Sequence, residues 1–237
     1  MMILLHKGFN YSQDGPGNRL VYHLQGCNFR CKWCSNPESM TAALTDKDVG
    51  TVSPAEIIEE AISCRMMFFD GGGVTFTGGE PTLWHTELLE TLRGLKQNGI
   101  GTAIETHGSD ARLRELLPYV DTLMIDLKHP SREEHIRWTG ADNRTTLENI
   151  GTILDSGRQI LIRIPLIHGV NVCPDTYCAF FAGHDMRNAA VEILPYHEYG
   201  KGKWTLPYEI ENGYVTQQEI DCMKDAFRSS GYRMIST

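Results

Sequence analysis

The stretch GVTFTGGEPTLWHTELLETLRGLKQNGIGTAIE, residues 73–105, reads as one strand–helix–strand unit. Gly73–Thr77 is a short β-branched run that ends in the glycine pair Gly78-Gly79. Trp84, Leu88, Leu92 and Leu95 then recur at helical spacing, and Gly99 stands where such a helix stops. Thr102–Glu105 is the next β-branched run. Outward from this unit the pattern repeats, with strand-like runs at Val21–Gln25, Thr122–Leu127, Ile160–Leu166 and Val191–Leu194. Helix starts are marked by Ser53-Pro54-Ala55-Glu56, ahead of the stripe Ile57, Ile58, Ala61 and Ile62, and by Thr216-Gln217-Gln218-Glu219, ahead of Ile220, Met223 and Phe227. Apolar strands alternating with amphipathic helices predict a parallel sheet covered by helices. Six units fall short of the eight that close a barrel, so the expected fold is α/β, a partial (β/α)6 TIM-like barrel. No repeat or low-complexity linker divides the chain, so residues 1–237 are read as one domain, with a C-terminal helix and strand at about 216–235.

Seven cysteines are present, and three of them, Cys27, Cys31 and Cys34, fall in the C-x3-C-x2-C loop that follows the first of these runs. Three thiolates at this spacing can wrap one metal centre. Zinc is one reading, but a structural zinc site closes with four ligands, and no fourth Cys or His follows nearby. A cubane iron–sulfur cluster is the other, because three cysteines leave one iron open. Cys64, Cys173, Cys178 and Cys222 are scattered and read as small buried hydrophobes or free thiols.

The chain has 22 Lys and Arg against 30 Asp and Glu, a net charge of −8, which argues against a nucleic-acid partner. No apolar run approaches a membrane span, and MMILLHKGFN has neither a charged leader nor a small-residue cleavage site. A cytoplasmic protein is expected.

The cysteine loop resembles the signature of the radical S-adenosylmethionine (SAM) superfamily, with Trp33 before the last cysteine. More narrowly, the chain is similar to the glycyl-radical-enzyme activating enzymes of the formate-lyase-activating type. The matching segments are Asp14-Gly15-Pro16-Gly17-Asn18-Arg19, Gln25-Gly26-Cys27, Cys34-Ser35-Asn36-Pro37, Gly71-Gly72-Gly73-Val74-Thr75, Gly78-Gly79-Glu80-Pro81, Met124-Ile125-Asp126-Leu127-Lys128 and Leu194-Pro195-Tyr196-His197-Glu198-Tyr199-Gly200-Lys201. Only 18 residues, none of them cysteine, separate Cys34 from Ser53, where many activating enzymes carry a ferredoxin-like insert. Ser35 stands where the formate-lyase-activating type usually has histidine.

The resemblance implies a radical SAM barrel with one [4Fe–4S] cluster on Cys27, Cys31 and Cys34. It places SAM against Trp33, Ser35 and Asn36, with Gly78, Gly79 and Glu80 at its amino group, Asp126 and Lys128 near its carboxylate and ribose, and His197 at its adenosine. Arg163, a natural fork for a carboxylate, joins this set. Glu105, Thr106, Met124 and Asp126 match a monovalent-cation site, with Glu105 in place of an aspartate, and Asp14 matches a residue near the substrate peptide. The implied activity is reductive cleavage of SAM and removal of a hydrogen from a backbone glycine of a partner enzyme, leaving a glycyl radical. A flavodoxin- or ferredoxin-type donor would supply the electron. The alternatives are a radical SAM enzyme acting on a small molecule or a peptide, and a zinc-binding structural module.

Overall fold

The structure, a computed structural model, describes residues 1–41, 43 and 50–235. The chain opens with β1 (Met2–Tyr11), β2 (Asn18–Leu24) and β3 (Gly50–Val52). Next come α1 (Pro54–Ser63), β4 (Gly73–Gly78), α2 (His85–Gln97), β5 (Thr102–Thr106) and the single turn α3 (Leu113–Leu116). Then follow β6 (Thr122–Asp126), α4 (Arg132–Thr139), α5 (Arg144–Asp155), β7 (Ile160–Leu166), α6 (Pro174–Phe181) and β8 (Ala189–Pro195). The last elements are α7 (Gln217–Ser229) and β9 (Met234–Ile235). The strands form one sheet in the order β3-β1-β2-β4-β5-β6-β7-β8-β9, open at both ends. Strands β2, β4, β5, β6, β7 and β8 are parallel neighbours and correspond to the six runs read from sequence, shifted by one to three residues at most ends.

β1 and β3 extend the sheet beyond β2 as antiparallel strands that the sequence pattern did not announce. β1 hides because its alternation is broken: Leu4 pairs with Leu24 and His6 with His23, so Leu5 is an extra residue. Leu4 and Leu5 are both buried at this bulge.

Helix caps read from sequence are present. Ser53 and Thr216 each accept the N3 backbone N–H, while Glu56 and Glu219 bond back to the cap, and Pro54 occupies the first turn of α1. Gly99 adopts a left-handed φ of 67° just past α2. Ile57 and Ala61 are buried, but Ile62 is 41% exposed, so the α1 stripe is narrower than its sequence suggests.

The strands are not apolar on both faces, as a helix-covered parallel sheet predicts. One face, with Leu20, Tyr22, Val74, Phe76, Ile104, Leu123, Ile125, Ile162, Ile164, Val191 and Ile193, packs into the main core with the helices. The alternate face carries buried Arg19, Thr75, Thr77, Arg163 and Glu192. Arg19 donates to Thr75 and to the carbonyls of Pro16, Gly71, Val74 and Gly101, which ties the starts of β2, β4 and β5 together. No helix among the described residues is long and apolar enough to cross a membrane.

Candidate active site

The cysteine loop leaves β2 through Gly26, whose φ of 98° makes the turn. It is pinned to the end of α4 by Arg30 N–H to Thr139 O (2.7 Å) and Lys32 N–H to Trp138 O (3.0 Å). Phe29 stacks on His107 with ring centroids 3.6 Å apart. Phe29, Cys31 and Trp33 join Ile167, Tyr196 and Ile210 in a second, smaller core under the loop. A segment after β8 straps the loop from outside. The Trp204 indole donates to Cys34 O (3.0 Å), Lys203 bridges Asn36 and Glu38, and a side chain at Gly200 would strike the backbone of Ser35.

Cys27, Cys31 and Cys34 border one cavity of about 380 Å³ at the C-terminal ends of the parallel strands. That volume suits a nucleoside-sized ligand. Burial pushes the Cys27 thiol up to about 11 and raises those of Cys31 and Cys34 as well. The sulfurs of Cys27 and Cys34 each accept a backbone N–H, from Phe29 and Asn36 (both 3.4 Å). A tetrahedral zinc at about 2.3 Å from each sulfur needs its ligand atoms within roughly 4 Å of one another. Among the described residues no three His, Cys, Asp or Glu side chains gather round one ion. The three thiols border a shared opening.

Most of the residues singled out in the sequence meet here. Trp33, Ser35, Asn36, Gly78, Gly79, Asp126, Lys128 and His197 line the same cavity as the thiols. Lys128 donates to Asp126 (2.9 Å). Burial works against its charge, but Asp126 and the thiols of Cys31 and Cys34 outweigh it, so its pKa lies above the ordinary lysine value. Asp126 Oδ1 is buried without a partner, an acceptor on the cavity wall that lacks a donor. The glycine pair marks a close approach. A Cβ at Gly79 would lie 2.1 Å from Gly26 O, and one at Gly78 would lie 2.4 Å from Leu24 N.

Three of those residues do not border the cavity. Glu80 is 1% exposed and accepts from Thr82, Thr106 and the His107 backbone N–H, so it ties the end of β4 to the end of β5. Its carboxylate is an internal brace. Arg163 is 4% exposed, and its guanidinium serves Glu105 (2.7 Å), Glu192 (2.9 Å) and Gln13 O (2.6 Å). It holds Glu105 from behind and has no fork free for a ligand carboxylate, which corrects the sequence expectation. Met124 is fully buried. Of the cation set, Glu105, Thr106 and Asp126 border the cavity, where Glu105 pairs with Arg163 and accepts from Thr77, and the Thr106 hydroxyl donates to Glu80.

Asp14 enters from the β1–β2 loop. Its backbone carbonyl accepts from Thr75, its carboxylate accepts from Asn10, and it borders the cavity. Burial, then the charge of Glu105, raises its pKa to about 6 against the opposing pull of Arg163.

Sequence reading missed His23, Thr77 and His107, which also line the cavity. Burial, then the charges of His6 and Lys203, drives His23 down to about 3, so its imidazole is neutral. Thr77 and His107 were findable, since each immediately adjoins a motif that was read. His23 carried no signal beyond its place on β2.

Fold and site together define a radical SAM protein: the sequence profile of the Radical SAM superfamily matches residues 21–181, and the chain belongs to that superfamily. Within it, the chain belongs to the pyruvate formate-lyase-activating enzyme family. It is 31% identical over 229 residues to the pyruvate formate-lyase-activating enzyme of Staphylococcus epidermidis, which covers 91% of this chain and 89% of the relative. A crystal structure of a domain of pyruvate-formate lyase-activating enzyme from Bacteroides vulgatus superposes with a TM-score of 0.60 at 26% identity, over 70% of this chain and 99% of that one. A radical SAM methyltransferase from Sphaerobacter thermophilus shares the fold, with a TM-score of 0.68 at 14% identity over 97% of this chain and 68% of that one.

The residues present fit the two cofactors of the superfamily, a [4Fe–4S] cluster and SAM. The observations are the three thiols on one opening, the glycine pair Gly78-Gly79 on the same wall, and the unpartnered Asp126 Oδ1.

Proposed function

We propose that this chain is a cytoplasmic activase that makes a glycyl radical on a partner enzyme of the formate-lyase type, with its electron drawn from a flavodoxin- or ferredoxin-type donor. The observation that carries this reading is a single cavity bordered by the three thiols, by the glycine cradle with Asp126 and Lys128, and by Asp14. Cys27, Cys31 and Cys34 would hold the cluster, and Gly78, Gly79, Asp126, Lys128 and His197 would hold SAM. When bound, the pair supplies one-electron cleavage of the sulfonium and a hydrogen-atom acceptor for the glycine.

The protein's part is binding, orientation and exclusion of water. Lys128, kept cationic by Asp126, presents a fixed positive charge to a carboxylate. Phe29, Trp33, Ile167 and Tyr196 wall the cavity with apolar surface around the cluster loop. Such a wall keeps solvent away from the reacting atoms. Asp14 would accept a peptide N–H of the incoming glycine segment, and Arg163 positions Glu105 beside it. The test is anaerobic incubation of the iron-loaded protein with SAM, a reductant and a purified enzyme of the formate-lyase type, with 5′-deoxyadenosine and partner activity followed together. The two should rise in proportion. Turnover of a small molecule with no activation of any such partner would favour the small-molecule alternative instead.

A further inference from the structure

An apolar patch lies on the side of the molecule where β1 ends. Met66 is 92% exposed, Tyr11 55%, Phe69 50%, Met67 48% and Phe9 43%. The exposure is not scattered. Tyr11 stacks on Phe69 with centroids 6.0 Å apart, and Phe9 meets Phe68 at 6.3 Å, so the end of β1 and the α1–β4 connection form one surface. Its edge is polar and satisfied, with Lys7 on Glu60 and the Tyr11 hydroxyl on Asp70. An apolar centre with a paired polar edge is the anatomy of a contact surface.

One further feature points to what covers it. The patch is continuous with the loop that carries Asp14. Asn18 N–H bonds Phe69 O (3.1 Å), Asn18 Nδ2 bonds Met67 O (2.8 Å), and a Cβ at Gly17 would lie 2.3 Å from Phe69 O. Asn10, the residue before Tyr11, bonds the Asp14 carboxylate inside the barrel.

We infer that the patch of Phe9, Tyr11, Met66, Met67 and Phe69 is the docking surface for the folded body of the partner enzyme whose glycine segment enters beside Asp14. The inference rests on the proposed function and names where that partner is gripped. These five side chains offer on the order of 600 Å², short of the roughly 800 Å² that each partner buries in a standard interface. The patch is therefore sized as one anchor of a larger contact that continues along the Asp14 loop.

The test compares two substrates, the whole formate-lyase-type partner and a short peptide spanning its radical glycine, with Met66→Glu/Phe69→Glu and Met66→Leu/Phe69→Leu. The charged pair should raise KM for the whole partner tenfold or more and leave KM for the peptide and the iron–sulfur absorbance unchanged. The leucine pair should match wild type on both substrates. An unchanged KM for the whole partner in the charged pair would overturn the docking surface, as would an equal rise for peptide and partner. A monomer–dimer shift in sedimentation with no change in partner KM would assign the patch to self-association and overturn it too. Wild-type protein that forms no radical on either substrate would strike the proposed function itself, an outcome separate from all of these.

Discussion

At the scale of single residues, the three loop cysteines carry the site and the other four do not. Replacing Cys27, Cys31 or Cys34 by alanine removes a thiolate that no neighbour can supply, and each variant should lose the iron–sulfur absorbance after anaerobic reconstitution. Serine at Cys64, Cys173, Cys178 or Cys222 should leave that absorbance intact. The glycine cradle carries a sharper expectation than its sequence suggests. From sequence, Gly79→Val blocks only the approach of a ligand. A Cβ there lies 2.1 Å from Gly26 O, at the root of the cysteine loop. The variant should therefore lose cluster absorbance as well as SAM affinity, and a normal cluster in Gly79→Val would contradict the geometry.

Asp14 gives a pH signature. Its folded pKa of about 6 lies above the ordinary 3.8, so the folded state binds the proton more tightly than the unfolded chain does. Its ionisation therefore costs stability as pH rises from about 4 through 6, and the cost is complete above that. Asp14→Asn keeps an acceptor for Asn10 and removes the cost. It should be about 1–2 kcal/mol more stable than wild type at pH 7.5 and equal to it below pH 4, as read from urea midpoints of the cluster-free protein. The same variant should lower glycyl radical yield while sparing uncoupled SAM cleavage. The roles of Arg163 and Glu80 were not legible from the chain. A sequence gives the type of a buried charge but not its partners, and both side chains turned out to serve internal ones.

At the scale of elements, the caps and stripes were legible because their chemistry is local. The Ser53 and Thr216 boxes lie within four residues of sequence, and both form as read. Ser53→Ala should cost about 1 kcal/mol, seen as a lower melting temperature with no change in cluster content. β1 was illegible because a bulge at Leu5 breaks its alternation, and β3 because three residues carry no pattern. The strap after β8 was half legible: its motif was read, but its contact with the loop joins residues about 170 apart. Trp204→Phe removes the indole donor to Cys34 O and loosens that contact. The cluster of this variant should bleach in air several-fold faster than that of wild type, followed by loss of visible absorbance.

At the scale of the whole molecule, six parallel strands and an open sheet followed from counting apolar runs, because each buried strand writes its own segment. The polar inner face did not follow, since Thr75, Thr77, Arg163 and Glu192 acquire meaning only when neighbouring strands bring them together. An open barrel with a polar interior can admit an extended chain where a closed one, filled by side chains, cannot. The central claim is that the hydrogen acceptor formed in this cavity takes its atom from a glycine of a partner enzyme. The most direct measurement uses a formate-lyase-type partner in which glycine carries deuterium at its α-carbon, with electron paramagnetic resonance and mass analysis of the 5′-deoxyadenosine in the same sample. The account predicts a glycyl radical signal with one deuterium in each 5′-deoxyadenosine formed. A radical-free partner, or 5′-deoxyadenosine without deuterium, would contradict it.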